Sequence, residues 1–115
     1  MALNTIDGRL VNNGTPAAPN LIVAVSGIQV LNTTREVQYV RGSGGAVVVT
    51  AAPRIERGSR PGQELVLFGT NDTDVVILQN GNGLALNGLC MLKENASLYL
   101  VWDGANWAEV SRNDL

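Results

Sequence analysis

Histidine is absent from this chain of 115 residues, and with it the imidazole that serves as a general base and a zinc ligand in many enzymes. This absence excludes a Ser-His-Asp triad and a histidine general base. The ten acidic residues leave a glycosidase-type acid pair formally possible, but no two carboxylates stand out beyond aspartates in turns. We therefore expect that the chain is not an enzyme and that it binds no cofactor.

Cysteine and lysine each occur once. A lone cysteine cannot form an intrachain disulfide, and Cys90 lies in an apolar run, so we expect it in the core. Because eight basic residues stand against ten acidic ones, the chain lacks the positive surplus that drives nucleic-acid binding. The single lysine, Lys93, offers little attraction to an anionic membrane. Neither nucleic acid nor a membrane is expected as a partner.

Long apolar runs and targeting patterns are also missing. No run approaches the ~20 apolar residues that cross a bilayer. The N-terminus does not show the charged, apolar and small-residue order of a signal peptide. We therefore expect the chain to be made in a cytoplasm.

Aromatic residues make up 4% of the chain although hydrophobic residues make up 45%, so the core must be built from Val, Leu, Ile and Ala. From residue 21 onward, short apolar runs alternate with Gly, Asn and Asp turns at intervals of about 8 to 12 residues. This spacing predicts a single all-β domain over residues 21–115. The sequence leaves open a compact antiparallel sandwich or prism and a short β-helix-like body.

The glycine-rich stretch at residues 41–45 separates two of these apolar runs. A phosphate-binding loop would need a helix after the glycines, whereas a β-branched run follows here. We predict a wide hairpin loop.

Two other turns have compositions that resemble metal sites. In the stretch at residues 80–88, Ala85 stands where a calcium-binding β-roll repeat has an aspartate. Asp72 and Asp74 lie in a turn, where such side chains usually accept local hydrogen bonds. No metal site is expected.

Residues 1–20 combine two prolines with polar turn formers, a composition that resists helix formation and cannot form a core. An extended arm and a frayed terminus are both compatible with it. In an extended arm, Ile6, Leu10 and Val11 are apolar enough to dock on a partner surface.

Three arginines, Arg54, Arg57 and Arg60, surround Glu56 in the most charged stretch of the chain. Their spacing of three residues is not the strand period, so a loop or an edge strand is predicted. They are interpreted either as solvated side chains or as members of an ion-pair network between subunits.

Asp103 and Gly104 give a hairpin signal, and a loop over residues 103–106 would bring Trp102 and Trp107 close together. The two indoles are interpreted either as a hydrophobic lid on the end of the domain or as a stacking platform for carbohydrate.

A series of short motifs runs through the C-terminal half: PGQ at 61–63, GT at 69–70, VVIL at 75–78, LALNG at 84–88, WDG at 102–104 and WAEVSR at 107–112. This half resembles modules of tailed-bacteriophage virion proteins. The resemblance implies a trimeric β-structure on a fibre, a spike, a tail appendage or a capsid surface.

The resemblance and the shortness of the chain together favour a virion protein made in the host cytoplasm. The favoured role is a capsid decoration, or cement, protein that binds the head as a homotrimer. The expected partners are copies of itself and the major capsid protein or another virion protein. The alternative is a tail fibre, spike or other tail appendage that binds host carbohydrate through Trp102 and Trp107.

Overall fold

The computed structural model describes residues 21–114, without the side chain of Leu21, and this part of the chain is all-β and contains no helix. No segment in it is therefore a helix capable of spanning a membrane. The strands are β1 (Leu21–Val23), β2 (Arg35–Gly42), β3 (Val47–Val48), β4 (Glu64–Gly69), β5 (Val76–Leu78), β6 (Leu84–Ala85), β7 (Cys90–Leu92), β8 (Ser97–Trp102) and β9 (Trp107–Asn113). The all-β prediction is confirmed.

The strands form two sheets. The large sheet has the order β1-β2-β4-β8-β9-β6, and the small sheet has the order β3-β5-β7. The antiparallel pairing of a sandwich or prism, one of the arrangements that the sequence left open, holds for only part of the domain. Four of the seven pairs are parallel, and β4-β8, β5-β7 and β8-β9 are antiparallel.

The parallel pairs arise because the first part of the chain winds as a coil. Where β2 pairs with β4 and β3 pairs with β5, each residue pairs with the residue 29 positions later. Arg35 pairs with Glu64, and Val47 pairs with Val76. The chain passes from the large sheet to the small sheet and back within that interval. The β-helix-like body that the sequence left open describes the segment from β2 to β5. Antiparallel pairs, among them the hairpin of β8 and β9, complete the domain.

Residues 43–46 form the corner of this coil between the two sheets. The predicted hairpin at this position is wrong, because the strands that it joins lie in different sheets. The amide of Gly42 donates to the carbonyl of Asp74 at 2.7 Å, and that of Val47 donates to the carbonyl of Val75 at 2.8 Å. Successive corners are therefore hydrogen-bonded to each other, and Gly44 and Gly45 supply positive φ angles of 74° and 123°.

The apolar run at residues 28–31 does not form a strand. Ile28 makes a single parallel bridge with Ile55. The Glu36 carboxylate accepts hydrogen bonds from the amides of Leu31 and Asn32 at 2.6 and 2.8 Å. These amides are satisfied by a side chain, so the segment has no need of a neighbouring strand.

A single hydrophobic core lies between the two sheets. Its side chains are mostly Val, Leu and Ile, as the scarcity of aromatic residues predicted. Cys90 is fully buried in it, which confirms its predicted place, and burial raises the pKa of the Cys90 thiol to about 11. Each fully buried aliphatic side chain contributes about 1.5 to 3 kcal/mol.

Candidate functional site

The hairpin between β8 and β9 has the predicted loop at residues 103–106. The amide of Asp103 donates to the carbonyl of Asn106 at 3.0 Å. One carboxylate oxygen of Asp103 accepts hydrogen bonds from the amides of Ala105 and Asn106 at 2.8 and 2.7 Å. These bonds, that from Asn106 above all, lower the pKa of the Asp103 carboxyl.

Trp102 and Trp107 face each other across this hairpin, as predicted. Their ring centroids are 5.4 Å apart and the ring planes meet at 60°, which is the favourable edge-to-face arrangement. The Trp107 indole N–H donates to the carbonyl of Glu56 at 2.9 Å. Gly58 lies so close to the Trp102 ring that no larger residue fits without displacing it.

Both indole rings are buried, which argues against their predicted use as a stacking platform for carbohydrate. Trp107 has no exposed surface and Trp102 is 6% exposed, so neither ring presents an open face on which a sugar would stack. The geometry matches the hydrophobic lid instead, and it corrects the expectation that both rings are available for stacking.

The end of β9 carries a buried ion pair. The Arg112 guanidinium donates to both carboxylate oxygens of Glu109 at 2.8 Å, and the exposed fractions of the two side chains are 15% and 4%. This hydrogen bonding holds the pKa of the Glu109 carboxyl below its ordinary value, against the effect of burial. Arg112 also donates to the carbonyls of Leu89 and Gly88 at 2.8 and 2.9 Å.

A β-bulge makes this pair possible. Residues three apart on a regular strand point to opposite faces of the sheet. Tyr99 faces Ser111 and Leu100 faces Glu109, so Val110 is the extra residue. The bulge shifts the alternation, and Glu109 and Arg112 lie on the same side. The Glu and Arg of the WAEVSR motif therefore attach β9 to the turn before β7.

The three arginines of the charged stretch have different surroundings. Arg54 donates to the carbonyl of Val49 at 3.0 Å and to that of Asn80 at 3.1 Å, so it holds neighbouring turns within its own chain. Arg57 and Arg60 are exposed and make no ion pair within the described residues. Their interfacial role stays a prediction.

The other predicted sites differ in how far the structure covers them. Ile6, Leu10 and Val11 lie outside the described residues. Asp72 accepts a hydrogen bond from the amide of Glu94 at 3.2 Å, which is not a bond within its own turn. The acceptor within the turn is the Asn71 side chain, which receives the amides of Thr73 and Asp74 at 2.7 Å. Nowhere in residues 21–114 do three or more metal-binding side chains cluster.

The large sheet carries an apolar surface that was not predicted from the sequence. The apolar side chains that point away from the core, here called the outer face, are Ile22, Val37, Tyr39, Val66, Phe68, Tyr99 and Val101. The polar side chains on the same side of the sheet are Arg35, Arg41, Glu64 and Ser97. Pairing places Val37, Val66 and Tyr99 in one row. The Tyr39 and Phe68 rings stack beside it, with centroids 5.3 Å apart.

The outer face is partly exposed. Ile22 is 56% exposed, Tyr39 is 42% exposed and Val37 is 39% exposed. The remaining members, Val66, Phe68, Tyr99 and Val101, are half-buried. At its edge, the Arg35 guanidinium lies 3.7 Å from the Glu64 carboxylate, which also accepts a hydrogen bond from the Tyr99 hydroxyl at 3.1 Å. The signal in the sequence was that β4 and β8 are apolar at both alternating sets of positions, which indicates apolar residues on both faces of a sheet.

A cleft opens beside the tryptophan hairpin, with a volume of about 350 Å³. Three separate segments line it, and they bring together two residues that the sequence singled out for different reasons, Arg57 and Trp102. Trp107 and the other two arginines of the charged stretch are not among the lining residues.

Comparison with known proteins gives one match. The sequence model of the phage depolymerase C-terminal beta sandwich domain matches residues 20–108. No curated protein and no solved structure matches the chain. The matched residues include both sheets, from β1 to the first two residues of β9. The chain belongs to the phage depolymerase C-terminal β-sandwich domain family.

Proposed function

We propose that this chain is a non-catalytic structural module of a phage tail appendage and that it assembles with copies of itself. The observation that carries the proposal is the apolar, partly exposed outer face of the large sheet in a domain of this family. A β-sandwich needs one apolar face per sheet for its core, and a second apolar face has no use in an isolated domain.

The composition of the outer face suits a contact between protein subunits. Aromatic side chains are enriched at the centres of interfaces, which bury about 800 Å² on each partner. Tyr39, Phe68 and Tyr99 lie on neighbouring strands at the middle of this face. The Arg35 and Glu64 pair at its edge supplies charged groups of both signs for the rim. The expected assembly is a homotrimer, as the resemblance to virion modules implies.

The tail appendage takes precedence over the capsid decoration role that the sequence first favoured. The family description names a depolymerase and gives the cement role no support. Partner contacts through Ile6, Leu10 and Val11, and through Arg57 and Arg60, remain part of the proposal.

Sedimentation of two matched variants tests the face. Tyr39→Glu places a charge in the outer face, where we expect it to dissociate the trimer to monomers because an interface core does not accept an unpaired charge. Met91→Glu is the control, since Met91 is 39% exposed on the small sheet and Tyr39 is 42% exposed. The control is expected to remain trimeric. If Tyr39→Glu also stays trimeric, the outer face is not the interface.

Immunogold labelling of phage particles tests the location. Antibodies against the chain are expected to label the tail. Labelling confined to the head would contradict the tail appendage and restore the capsid decoration role.

A further inference from the structure

The dipeptide Asn-Gly occurs three times in the described part of the chain, at residues 80–81, 82–83 and 87–88. A fourth copy, at residues 13–14, lies outside the described residues. In such a pair the amide nitrogen of the glycine can attack the side-chain carbonyl carbon of the asparagine and close a five-membered ring. Glycine favours this attack because it has no side chain and its backbone turns freely. The three described copies share this local chemistry, so the structure around each one decides whether it reacts.

Residues 80–81 are held at both ends of the peptide unit that joins them. The carbonyl of Asn80 accepts a hydrogen bond from the Arg54 guanidinium at 3.1 Å, and the amide of Gly81 donates to the carbonyl of Leu84 at 2.9 Å. The Asn80 side-chain oxygen accepts a hydrogen bond from the amide of Leu86 at 2.8 Å. The attacking nitrogen and the side-chain carbonyl that it would attack are therefore both already bonded.

Residues 82–83 form the centre of a tight turn between Gly81 and Leu84, whose amides and carbonyls bond to each other at 2.9 and 3.1 Å. Asn82 and Gly83 have the positive φ angles that this turn requires, 47° and 94°. The carbonyl of Asn82 also accepts a hydrogen bond from the amide of Arg54 at 3.0 Å. Ring closure rotates the peptide unit between Asn82 and Gly83, so it would break the bond to Arg54.

Residues 87–88 have a free peptide unit between two fixed ends. The Asn87 carbonyl and the Gly88 amide make no hydrogen bond within residues 21–114, and both residues are exposed. On either side, the amide of Asn87 donates to the Glu109 carboxylate at 2.9 Å, and the carbonyl of Gly88 accepts a hydrogen bond from the Arg112 guanidinium at 2.9 Å. Opposite rotations about the two bonds that flank the peptide unit turn it in place and break neither contact. Gly88 accepts the new φ angle, and no atom beyond its chain neighbours lies within 4 Å of the point where a side chain would begin.

We propose that Asn87 is a site of spontaneous modification in the folded protein. The Gly88 nitrogen bonds to the side-chain carbonyl carbon of Asn87, the bond from that carbon to the side-chain nitrogen breaks, and the glycine amide proton leaves with this nitrogen as ammonia. Water then opens the ring at either of its two carbonyl carbons, so position 87 becomes aspartate or isoaspartate. The reaction needs water alone as a co-reactant. Neither residue belongs to the outer face, so the proposal does not depend on assembly.

The modification weakens the attachment of β9 to the turn before β7. Either product adds a carboxylate at position 87, whose amide bonds to Glu109, so a second negative charge lies close to that nearly buried carboxylate. In isoaspartate the main chain passes through the former side chain and gains one carbon atom, which displaces Gly88 from Arg112. Both effects act on the ion pair of Glu109 and Arg112.

Incubation of the full chain in mildly alkaline buffer, followed by peptide mapping with mass spectrometry, tests the proposal. The three dipeptides are compared within the same molecules, so buffer and temperature affect them alike. We expect position 87 to be converted about tenfold faster than positions 80 and 82, a factor that one or two hydrogen bonds of ordinary strength supply. The same incubation in urea is the control, and there we expect the three positions to react at similar rates.

The variant Asn87→Gln tests the effect on stability. Glutamine keeps the amide group but would have to form a six-membered ring, which closes far more slowly, so position 87 stays unmodified. This position is exposed, and the variant is therefore expected to fold. We expect the urea midpoint of the natural sequence to fall as position 87 is converted and that of Asn87→Gln to stay constant. Any conversion at Asn13 occurs in both proteins and does not contribute to the difference.

Equal rates at the three positions in the folded protein would overturn the proposal, as would faster conversion at position 80 or 82. Conversion of position 87 in urea but not in the folded chain would show that the fold protects it, which also contradicts the proposal. A midpoint that stays constant while position 87 is converted would refute the effect on the pair of Glu109 and Arg112. None of these results bears on the oligomeric state, so the modification and the assembly proposal fail separately.

Discussion

Replacing Arg112 with glutamine removes the guanidinium that neutralises a nearly buried carboxylate. Arg112 makes two hydrogen bonds of 2.8 Å to Glu109, whose side chain is 4% exposed, and two more to backbone carbonyls of the turn before β7. Glutamine is too short to restore this geometry. The variant therefore leaves a buried charge without its partner, which costs about 3 to 5 kcal/mol.

That loss is a large part of the free energy of unfolding of a small domain, which is about 5 to 15 kcal/mol. Urea denaturation followed by tryptophan fluorescence measures it, because Trp102 and Trp107 are buried in the folded state. The matched control is Arg35→Gln. Arg35 lies 3.7 Å from Glu64 and its side chain is 65% exposed, so its loss is expected to cost about 0 to 1 kcal/mol.

A double-mutant cycle isolates the interaction. Replacing Glu109 with glutamine in the Arg112→Gln background removes the unpaired charge, so the double variant is expected to be more stable than the sum of the single changes predicts. A coupling of about 2 kcal/mol is expected for two groups in direct contact. A loss below about 1 kcal/mol for Arg112→Gln would refute the conclusion that this pair is desolvated and attaches β9 to the turn before β7.

Three further results are expected. Gly58→Ala will destabilise the fold by about 1 to 3 kcal/mol, because the added methyl group meets the Trp102 ring; thermal unfolding measures it, and an unchanged midpoint would contradict the contact. The Cys90 thiol, with its pKa near 11, will not react with a thiol reagent at pH 8 in the folded protein but will react in urea. Asp103 has a lowered pKa, so its stabilising effect is complete above its unfolded pKa of about 3.9 and is lost as the pH falls through the folded value. Asp103→Asn will weaken this dependence, and equal pH profiles for the two proteins would contradict the hydrogen bonding of the loop.

The local features of the fold were predictable from the sequence. The hairpin at residues 103–106 depends on a short signal, Asp103 followed by Gly104, and on two flanking apolar runs. Cys90 was predictable because its neighbours in the sequence already place it in an apolar run. In each case the residues that determine the structure are adjacent in the chain.

The coil was not predictable in the same way. Arg35 and Glu64 are 29 positions apart, and their pairing depends on the path of the chain between them. Alternation within one strand carries no information on that path. The glycine-rich corner at residues 43–46 has the composition of a hairpin turn, but it connects β2 of the large sheet to β3 of the small sheet.

The cleft shows the same limit at the level of a site. Arg57 and Trp102 were both identified from the sequence, but only the folded structure places them in the same cleft. Asn82 and Asn106 have the composition of ordinary turn residues, and what distinguishes them is their position on opposite sides of one opening. The placement of these two side chains follows from the fold, and the residues next to them in the sequence do not indicate it.

Light scattering of the unmodified chain in solution measures whether the outer face is an assembly surface. We expect a single species with three times the chain mass of 12.1 kDa, and we expect this mass to persist on dilution. A stable, soluble species of 12.1 kDa at every concentration would contradict it, because the outer face would then be fully solvated in the native protein.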